Sequence, residues 1–298
     1  MTDAHTHHSD TTGHLKTAFF LNFGFTILEI AGGLWTNSTA IIADAVHDLG
    51  DSLSLGLAWF LNRYAQKGRT SQYSYGYRRY SLLGALINTI ILIIGGIIIL
   101  FQAIPRLLQP ETTHAPGMIG LAVIGILING LAAFRLRGGK SSNVRVAGWH
   151  LLEDLLGWVA VLIVSIILLF TDLYILDPVL SIMITLYVMV NMIRNLKQTF
   201  GLFLQAVPSE VDIREIEAKL RAIDQVQSTH HTHIWSLDGE HHVLTTHLVV
   251  DSEVAREEIL QIKKKVTDLA EAQDFEHVTI EIEYAGEDHD PRYHEEPS

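Results

Sequence analysis

The sequence has 298 residues and contains no cysteine. This absence excludes disulfide bonds and thiolate metal ligands. Any bound metal must therefore be held by histidine, aspartate or glutamate, together with backbone oxygen or water. Charge of either sign is also scarce before residue 206, where only 11 acidic and 13 basic side chains occur. Long apolar runs take their place, and such runs are typical of a membrane protein.

The remaining part of the chain is strongly acidic. Residues 206–298 contain 22 acidic and 8 basic side chains, a net charge of −14. An acidic surface of this kind disfavours nucleic acid as a partner and favours cations.

Six apolar segments are long enough to cross a lipid bilayer, which takes about 20 residues of helix. They lie near residues 17–36, 39–62, 80–104, 117–135, 146–170 and 174–195. The third segment carries no charge, whereas the second and fifth hold several ionisable residues and should face the interior of a bundle. The sequence thus predicts an α-helical membrane protein with six transmembrane helices over residues 17–205.

The basic residues predict the orientation of these helices. Residues 63–79, residues 135–145 and the two flanks of the apolar region hold 12 basic side chains, and Arg106 lies alone on the opposite side. Basic loops stay in the cytoplasm, so both chain ends are predicted to be cytoplasmic. The polar residues 1–16, with four histidines, read as a disordered cytosolic tail and not as a signal peptide.

After the last span the pattern changes to that of a small soluble domain. We predict a helix from Ser209 to about residue 223, strands at 226–236 and 241–250, a helix at 253–272 and a strand at 277–284. This order gives an α+β fold, αββαβ, over residues 206–286. The acidic residues 287–298 are predicted to be disordered.

The spacing His-x-x-x-Asp occurs in two of the predicted spans, as His47 with Asp51 and as His150 with Asp154. A four-residue step places both members of a pair on one helical face. Ionisable groups at membrane depth usually face a partner, a cavity or an ion path. A lone histidine here is more often a hydrogen-bonded core residue, but the repeated spacing favours a tetrahedral Zn²⁺ site. Asp44 is predicted to hold the His47 imidazole.

The predicted hairpin of the soluble domain is rich in histidine. Strand alternation places His230 on the opposite face from His231 and His233, and places Glu281 and Glu283 on one shared face. A second metal site and an exposed polar sheet face are both compatible with this pattern.

Four stretches resemble the cation diffusion facilitator family, specifically its bacterial zinc exporters: 43-ADAVHDLGD-51, 150-HLLED-154, 230-HHTHIWSLDGEHHVLTTHLVV-250 and 278-VTIEIE-283. The resemblance implies a homodimeric antiporter of the inner membrane that exchanges a divalent metal for protons by alternating access. It also implies a metallochaperone-like fold for the cytosolic domain and a part in metal homeostasis.

The resemblance assigns His47, Asp51, His150 and Asp154 to the transport site, and the histidine at position 47 to zinc preference. It assigns a cytosolic zinc site to three further residues: His230, His247 and Glu283. The sequence also departs from the family. Tyr73 and Tyr77 stand where some members have metal-binding histidines, so a loop metal site is predicted to be absent. Gln205 replaces an acidic residue that pairs with the loop in other members.

Three other functions compete with zinc export as readings of the sequence. An intramembrane metalloenzyme needs an open coordination position for water, which four protein ligands do not leave. A passive channel would use weak multiple sites. Export of Cd²⁺, Fe²⁺, Co²⁺ or Ni²⁺ stays open, because these ions also accept histidine and carboxylate. Protons compete with metal for such ligands, so proton coupling would discriminate a transporter of this kind from a passive channel.

Overall fold

The computed structural model of the protein describes residues 7–65, 68–136 and 142–286. The described residues fall into two compact units, the first within Met1–Arg63 and Leu83–Leu196 and the second within Tyr64–Leu82 and Lys197–Ser298. The elements in chain order are α1 (His7–Thr36), α2 (Thr39–Ala65), α3 (Tyr80–Leu108), α4 (Ala115–Leu136), α5 (Ser142–Phe170), α6 (Leu176–Phe203), α7 (Ile213–Arg221), β1 (Val226–Ser236), β2 (His242–Val250), α8 (Arg256–Glu271) and β3 (Phe275–Tyr284).

The six long helices match the six predicted spans, and the chain is an α-helical membrane protein. By length and composition, five of them are apolar enough to cross a membrane, among the residues that the structure describes. The sixth, α2, is 27 residues long but carries Asp44, Asp48 and Asp51 close together. These carboxyl groups lower its hydropathy, and those of Asp44 and Asp48 are buried.

The helix α1 begins earlier than expected. It starts at His7, so residues 7–16, predicted as a disordered tail, are helical. The rest of that predicted tail, residues 1–6, lies outside the described residues, as does the predicted acidic tail at 287–298. The difference has a physical reason, because an apolar span can extend its hydrogen-bonded turns into polar residues that contain no proline.

Close packing of α4 against α5 depends on a glycine. A methyl group at Gly125 would collide with the Trp158 ring, which is fully buried. Met118, Ala122 and Val161 belong to the same apolar cluster. This packing fixes α5, the helix that carries His150 and Asp154.

The start of α2 is held by a residue of α6. Asp177 is fully buried and accepts hydrogen bonds from the Ser38 hydroxyl at 2.5 Å, the Thr39 amide at 2.7 Å and the Thr39 hydroxyl at 2.8 Å. A longer bond of 3.3 Å comes from the Ala40 amide. A carboxylate satisfies the free amides of a helix N-terminus and complements its dipole. Asp177 therefore caps α2 from 138 residues away in the chain.

The second unit contains the predicted α+β fold. Its sheet has the order β1-β2-β3, with β1 antiparallel to β2 and β2 parallel to β3. The helices α7 and α8 bury Ile216, Leu220, Ile262 and Val266 in the core shared with the sheet. The cap of α7 is Asp212, whose side chain accepts from the Arg214 amide, and not the expected Ser209.

The strand β1 departs from regular alternation at His231. His230 pairs with His247 and His233 pairs with Thr245, so two residues of β1 stand opposite one residue of β2. His231 has a positive φ of 53°, as expected for a β-bulge. The prediction that His230 and His231 face opposite ways is therefore wrong, because both rings lie beside His247, with centroid distances of 5.2 and 5.3 Å.

The segment between α2 and α3 is fastened to the sheet. Arg78 forms a bidentate ion pair with Glu276 of β3, and the Tyr75 ring lies 5.3 Å from that of His277. Tyr73 and Tyr77 contact each other, with centroids 4.7 Å apart. Both tyrosines also lie near the ring of Tyr80, so they take part in an aromatic cluster.

Candidate metal centres

The two His-x-x-x-Asp pairs meet at the interface of α2 and α5. His150 Nε2 lies 2.9 Å from Asp51 Oδ2, and His47 Nε2 lies 3.8 Å from Asp154 Oδ1. Within each helix, the histidine Nε2 and the aspartate Oδ2 of a pair are 3.9 Å apart. The imidazole rings are nearly perpendicular, with centroids 5.7 Å apart. The four side chains therefore form a ring in which histidines alternate with aspartates, with Asp154 facing His47 through Oδ1 and His150 through Oδ2. Of the four, His47, Asp51 and His150 offer single ligand atoms that all lie within 4.8 Å of one another.

The dimensions of this ring suit a small tetrahedral cation. Zinc lies about 2.0–2.1 Å from nitrogen and oxygen ligands, so neighbouring ligand atoms are about 3.3 Å apart. The observed separations of 2.9–3.9 Å lie around that value. Asp154 is only 9% exposed, whereas His150 is 38% exposed. The ring is therefore open to its surroundings on the side of His150.

His47 has the environment of a metal ligand. Among the described residues, neither of its ring nitrogens forms a hydrogen bond, although both are buried. Buried polar atoms are normally paired, so an unpaired imidazole at this depth calls for a partner such as a cation.

Asp44 does not hold the His47 imidazole as predicted. Its carboxylate is buried, and its Oδ2 has no hydrogen-bond partner among the residues described. Its Oδ1 instead lies against α5 at Gly157, where an added methyl group would stand 3.3 Å away. Spacing on α2 placed Asp44 near His47, but the approach of α5 decides where the carboxylate points.

A polar edge of α1 lies against α2, and the sequence analysis missed it. The Asn22 amide donates to the Asp48 carbonyl at 3.3 Å and to the Ser52 hydroxyl at 3.1 Å. The Thr26 hydroxyl lies 3.4 Å from that of Ser52. Glu29 is fully buried and faces Asp48. The three- and four-residue steps of these α1 positions are a helical-face signal that the sequence does contain.

The second candidate centre lies on the sheet of the soluble domain. Glu283 is largely buried and bridges two imidazoles, with 2.8 Å from its Oε2 to His230 Nε2 and 2.5 Å from its Oε1 to His247 Nδ1. Each of the three strands contributes one of these residues. The structure thus brings together the three residues that the family resemblance implies, within a distance suited to one metal ion.

Two other hairpin histidines are engaged elsewhere. His242 is buried and lies 3.3 Å from Glu210. His241 Nδ1 lies 2.7 Å from Asp238. Burial alone would raise the pKa of Asp238, but hydrogen bonds from the His241 and Glu240 amides and the His241 ring hold that pKa below its ordinary value. Asp238 therefore remains ionised and orders the turn of the hairpin.

Comparison with known proteins covers both units. Residues 15–204 match the cation efflux transmembrane domain, and residues 208–285 match the cytoplasmic domain of cation efflux proteins. The chain is 35% identical over 285 residues to the metal cation efflux system protein CzcD of Cupriavidus metallidurans, covering 95% of this chain and 90% of that protein.

Two further relatives are similar over comparable lengths. The zinc transporter ZitB of Escherichia coli is 34% identical over 93% of this chain and 92% of its own length. The cadmium, cobalt and zinc/H(+)-K(+) antiporter of Bacillus subtilis is 30% identical over 95% of this chain and 94% of its own length.

Proposed function

The chain belongs to the cation diffusion facilitator family, and we propose that it exports Zn²⁺ from the cytoplasm in exchange for protons. The observation that carries the proposal is the ring of two imidazoles and two carboxylates at the α2–α5 interface. Such a set binds zinc with four protein ligands and leaves no coordination position for a reacting water. Binding and release, without chemistry, is the activity that this arrangement supports.

Proton exchange follows from the ligand types. Zinc requires neutral imidazole and ionised carboxylate, so each metal that binds displaces protons from the same side chains. Free imidazole titrates near ~6.5, which makes it responsive to modest differences in pH across a membrane. We propose that His47, Asp51, His150 and Asp154 bind zinc when open to the cytoplasm and take up protons when open to the more acidic side.

The proposal includes a cellular arrangement. The chain is a multi-pass membrane protein, which we place in the inner membrane as a homodimer with both ends cytoplasmic. Residues 17–205 form the transmembrane domain, and residues 206–286 form a cytosolic domain that binds Zn²⁺ through His230, His247 and Glu283. The unequal distribution of basic residues supports the proposed orientation. The match of residues 208–285 to the family's cytoplasmic domain supports a cytosolic location for the second domain.

Removing the pH gradient is expected to weaken zinc accumulation. One pH unit supplies about 1.4 kcal/mol for each exchanged proton, which corresponds to about tenfold in the accumulated metal. Proteoliposomes with an acidified interior would be compared with vesicles at equal pH, using a zinc-sensitive dye inside. The buffers would be free of potassium, because one relative is named for potassium as well as proton exchange.

Vesicles containing the Asp51→Ala variant provide the control for leakage in this assay. Zinc uptake that is the same with and without the gradient, and that still depends on the protein, would contradict proton exchange and favour a passive pathway.

A second candidate substrate is cadmium, because one of the described relatives is named a cadmium, cobalt and zinc/H(+)-K(+) antiporter. Replacing His47 with aspartate exchanges a nitrogen for an oxygen ligand and adds a negative charge. We expect His47→Asp to reduce the preference for zinc over cadmium, since ligand type and geometry set metal selectivity.

The selectivity test compares zinc and cadmium uptake in the same proteoliposomes for wild type and His47→Asp. His114→Asp serves as the matched control, because His114 contacts Trp35 and caps the start of α4 away from the ring of ligands. An unchanged zinc-to-cadmium ratio in His47→Asp would count against His47 as a ligand.

A further inference from the structure

We infer that His231 is the fourth ligand of the cytosolic metal centre, brought there by the β-bulge in β1. The inference rests on the proposed function, which assigns zinc to His230, His247 and Glu283. Those residues supply three ligand atoms, whereas a structural zinc site normally has four protein ligands. The fourth ligand decides whether this centre is closed or keeps a water.

The backbone at His231 is in an unfavourable conformation. Its φ of 53° lies in the left-handed region, which side chains other than glycine adopt rarely. Conformations of this kind persist where the surrounding structure enforces them, and they are concentrated at functional sites. In a regular strand His231 would point away from His230, so the bulge is what places both imidazoles on the face of His247.

The residue after the bulge shows how this conformation is held. Thr232 is buried, and its hydroxyl lies 3.0 Å from the hydroxyl of Thr246 on the inner face of the sheet. This contact returns β1 to its pairing with β2 one residue later, at His233. The bulge is therefore fixed on the buried side, and the two consecutive histidines lie together on the other side.

The His231 ring lies beside His247, one member of the centre. It lies edge-on to His247, with centroids 5.3 Å apart and an interplanar angle of 87°. Its electrostatic neighbours are His233, His247, His230 and Glu283. The Glu283 carboxylate bridges the imidazoles of His230 and His247, and His231 adds a third imidazole. The resulting donor set of three nitrogens and one oxygen suits zinc.

Glu281 is the competing fourth ligand, and the geometry of His247 argues against it. His247 Nδ1 faces Glu283 at 2.5 Å, whereas its Nε2 faces Glu281 at 3.4 Å. A metal bound between His247 Nδ1 and Glu283 lies on the opposite edge of the ring from Glu281. Glu281 is instead placed to accept the Nε2 proton, as carboxylates beside metal-bound imidazoles commonly do.

His233 offers a matched control. It is the same residue type, on the same strand, and its ring centroid is 4.9 Å from that of His231. It is exposed and belongs to the regular part of β1, where it pairs with Thr245. Its replacement removes a nearby imidazole without removing the one that faces His247.

The test measures zinc binding by the full-length protein in detergent, by competition with a chelating indicator. All variants carry Asp51→Ala, which weakens the transmembrane site and isolates the cytosolic one. We expect His231→Asn to weaken zinc binding by about 10- to 100-fold. Loss of a residue that only hydrogen-bonds a metal ligand already costs that much, and His231 is proposed to bind the metal itself. His233→Asn should bind within about twofold of the parent. Asparagine tolerates the left-handed backbone, so the bulge itself is retained.

A second measurement reports the geometry directly. With Co²⁺ in place of zinc, a tetrahedral centre absorbs visible light more strongly than a centre that has gained water ligands, because coordination geometry determines the spectrum. The His231→Asn variant should lose intensity, and His233→Asn should keep it. His231→Gly repeats the comparison with a residue that favours the same backbone conformation.

The outcomes separate this inference from the proposed function. His247→Ala must abolish the cytosolic binding; if it does not, the centre itself is wrong and His231 has no ligand role. If His247→Ala abolishes binding while His231→Asn and His231→Gly keep the parent's affinity and Co²⁺ spectrum, the centre stands and the role of His231 is overturned.

Discussion

Replacing Asp51 with alanine is expected to lower zinc transport by more than about 100-fold, because loss of an outer-shell partner alone typically costs 10–100-fold in metal affinity. Asp51 contacts both histidines of the transmembrane centre, at 2.9 Å from His150 and 3.9 Å from His47. Its removal therefore opens the ring on two sides and leaves both imidazoles without their shared carboxylate. The measurement is zinc uptake into acidified proteoliposomes.

Two further variants separate the loss of a ligand from a loss of structure. Asp51→Asn keeps the volume of the side chain but removes its charge, and it should also be inactive. Glu153→Gln removes a carboxylate from the same turn of α5 as Asp154, on the side facing Tyr187, and should transport zinc at close to the wild-type rate. Transport by Asp51→Ala comparable to that of Glu153→Gln would exclude Asp51 as a ligand.

The second large effect is expected from Asp177→Ala, which should destabilise the protein by about 3 kcal/mol, since hydrogen bonds to a buried charged group are among the strongest and their loss leaves buried donors unpaired. Asp177 accepts four hydrogen bonds from the first residues of α2, including two backbone amides. The measurement is the midpoint of thermal unfolding in detergent, read by intrinsic fluorescence.

Asp172→Ala is the matched control for this prediction. Asp172 is exposed and lies five residues earlier, in the connection that precedes α6, where it accepts from the Tyr174 hydroxyl. Its removal should shift the midpoint little. Asp177→Asn keeps an acceptor oxygen, so its unfolding midpoint should lie between those of Asp177→Ala and Asp172→Ala. A midpoint for Asp177→Ala that equals that of Asp172→Ala would mean that water replaces the carboxylate at no cost.

The transmembrane arrangement was largely predictable because two signals in the sequence act together. Apolar length identifies the spans, and the four-residue step of His47 and Asp51 fixes which side chains share a face. The same rule gave the pair on α5. What spacing does not give is the direction from which another helix approaches, and that is why Asp44 lies against Gly157 and not at His47.

Two structural features could not be predicted from any local sequence pattern. The cap of α2 comes from a residue 138 positions away, while cap rules apply within a few residues. The bulge at His231 adds one residue to a strand, and alternation assumes that none is added. By contrast, the polar edge of α1 was present in the sequence as helical spacing and was overlooked beside stronger signals.

The bond between Asp177 and the start of α2 also limits how this helix can move. Sliding of α2 along α6 would break these bonds, whereas a tilt about the anchored end would keep them. At 1.5 Å per residue, His47 lies about 12 Å from Thr39, and the far end of the helix lies about 39 Å away. A tilt that displaces the far end by a given distance thus displaces His47 by about one third of it. The two ligands on α2 therefore lie near the pivot, so a large displacement of the far end of the helix changes the metal geometry only slightly.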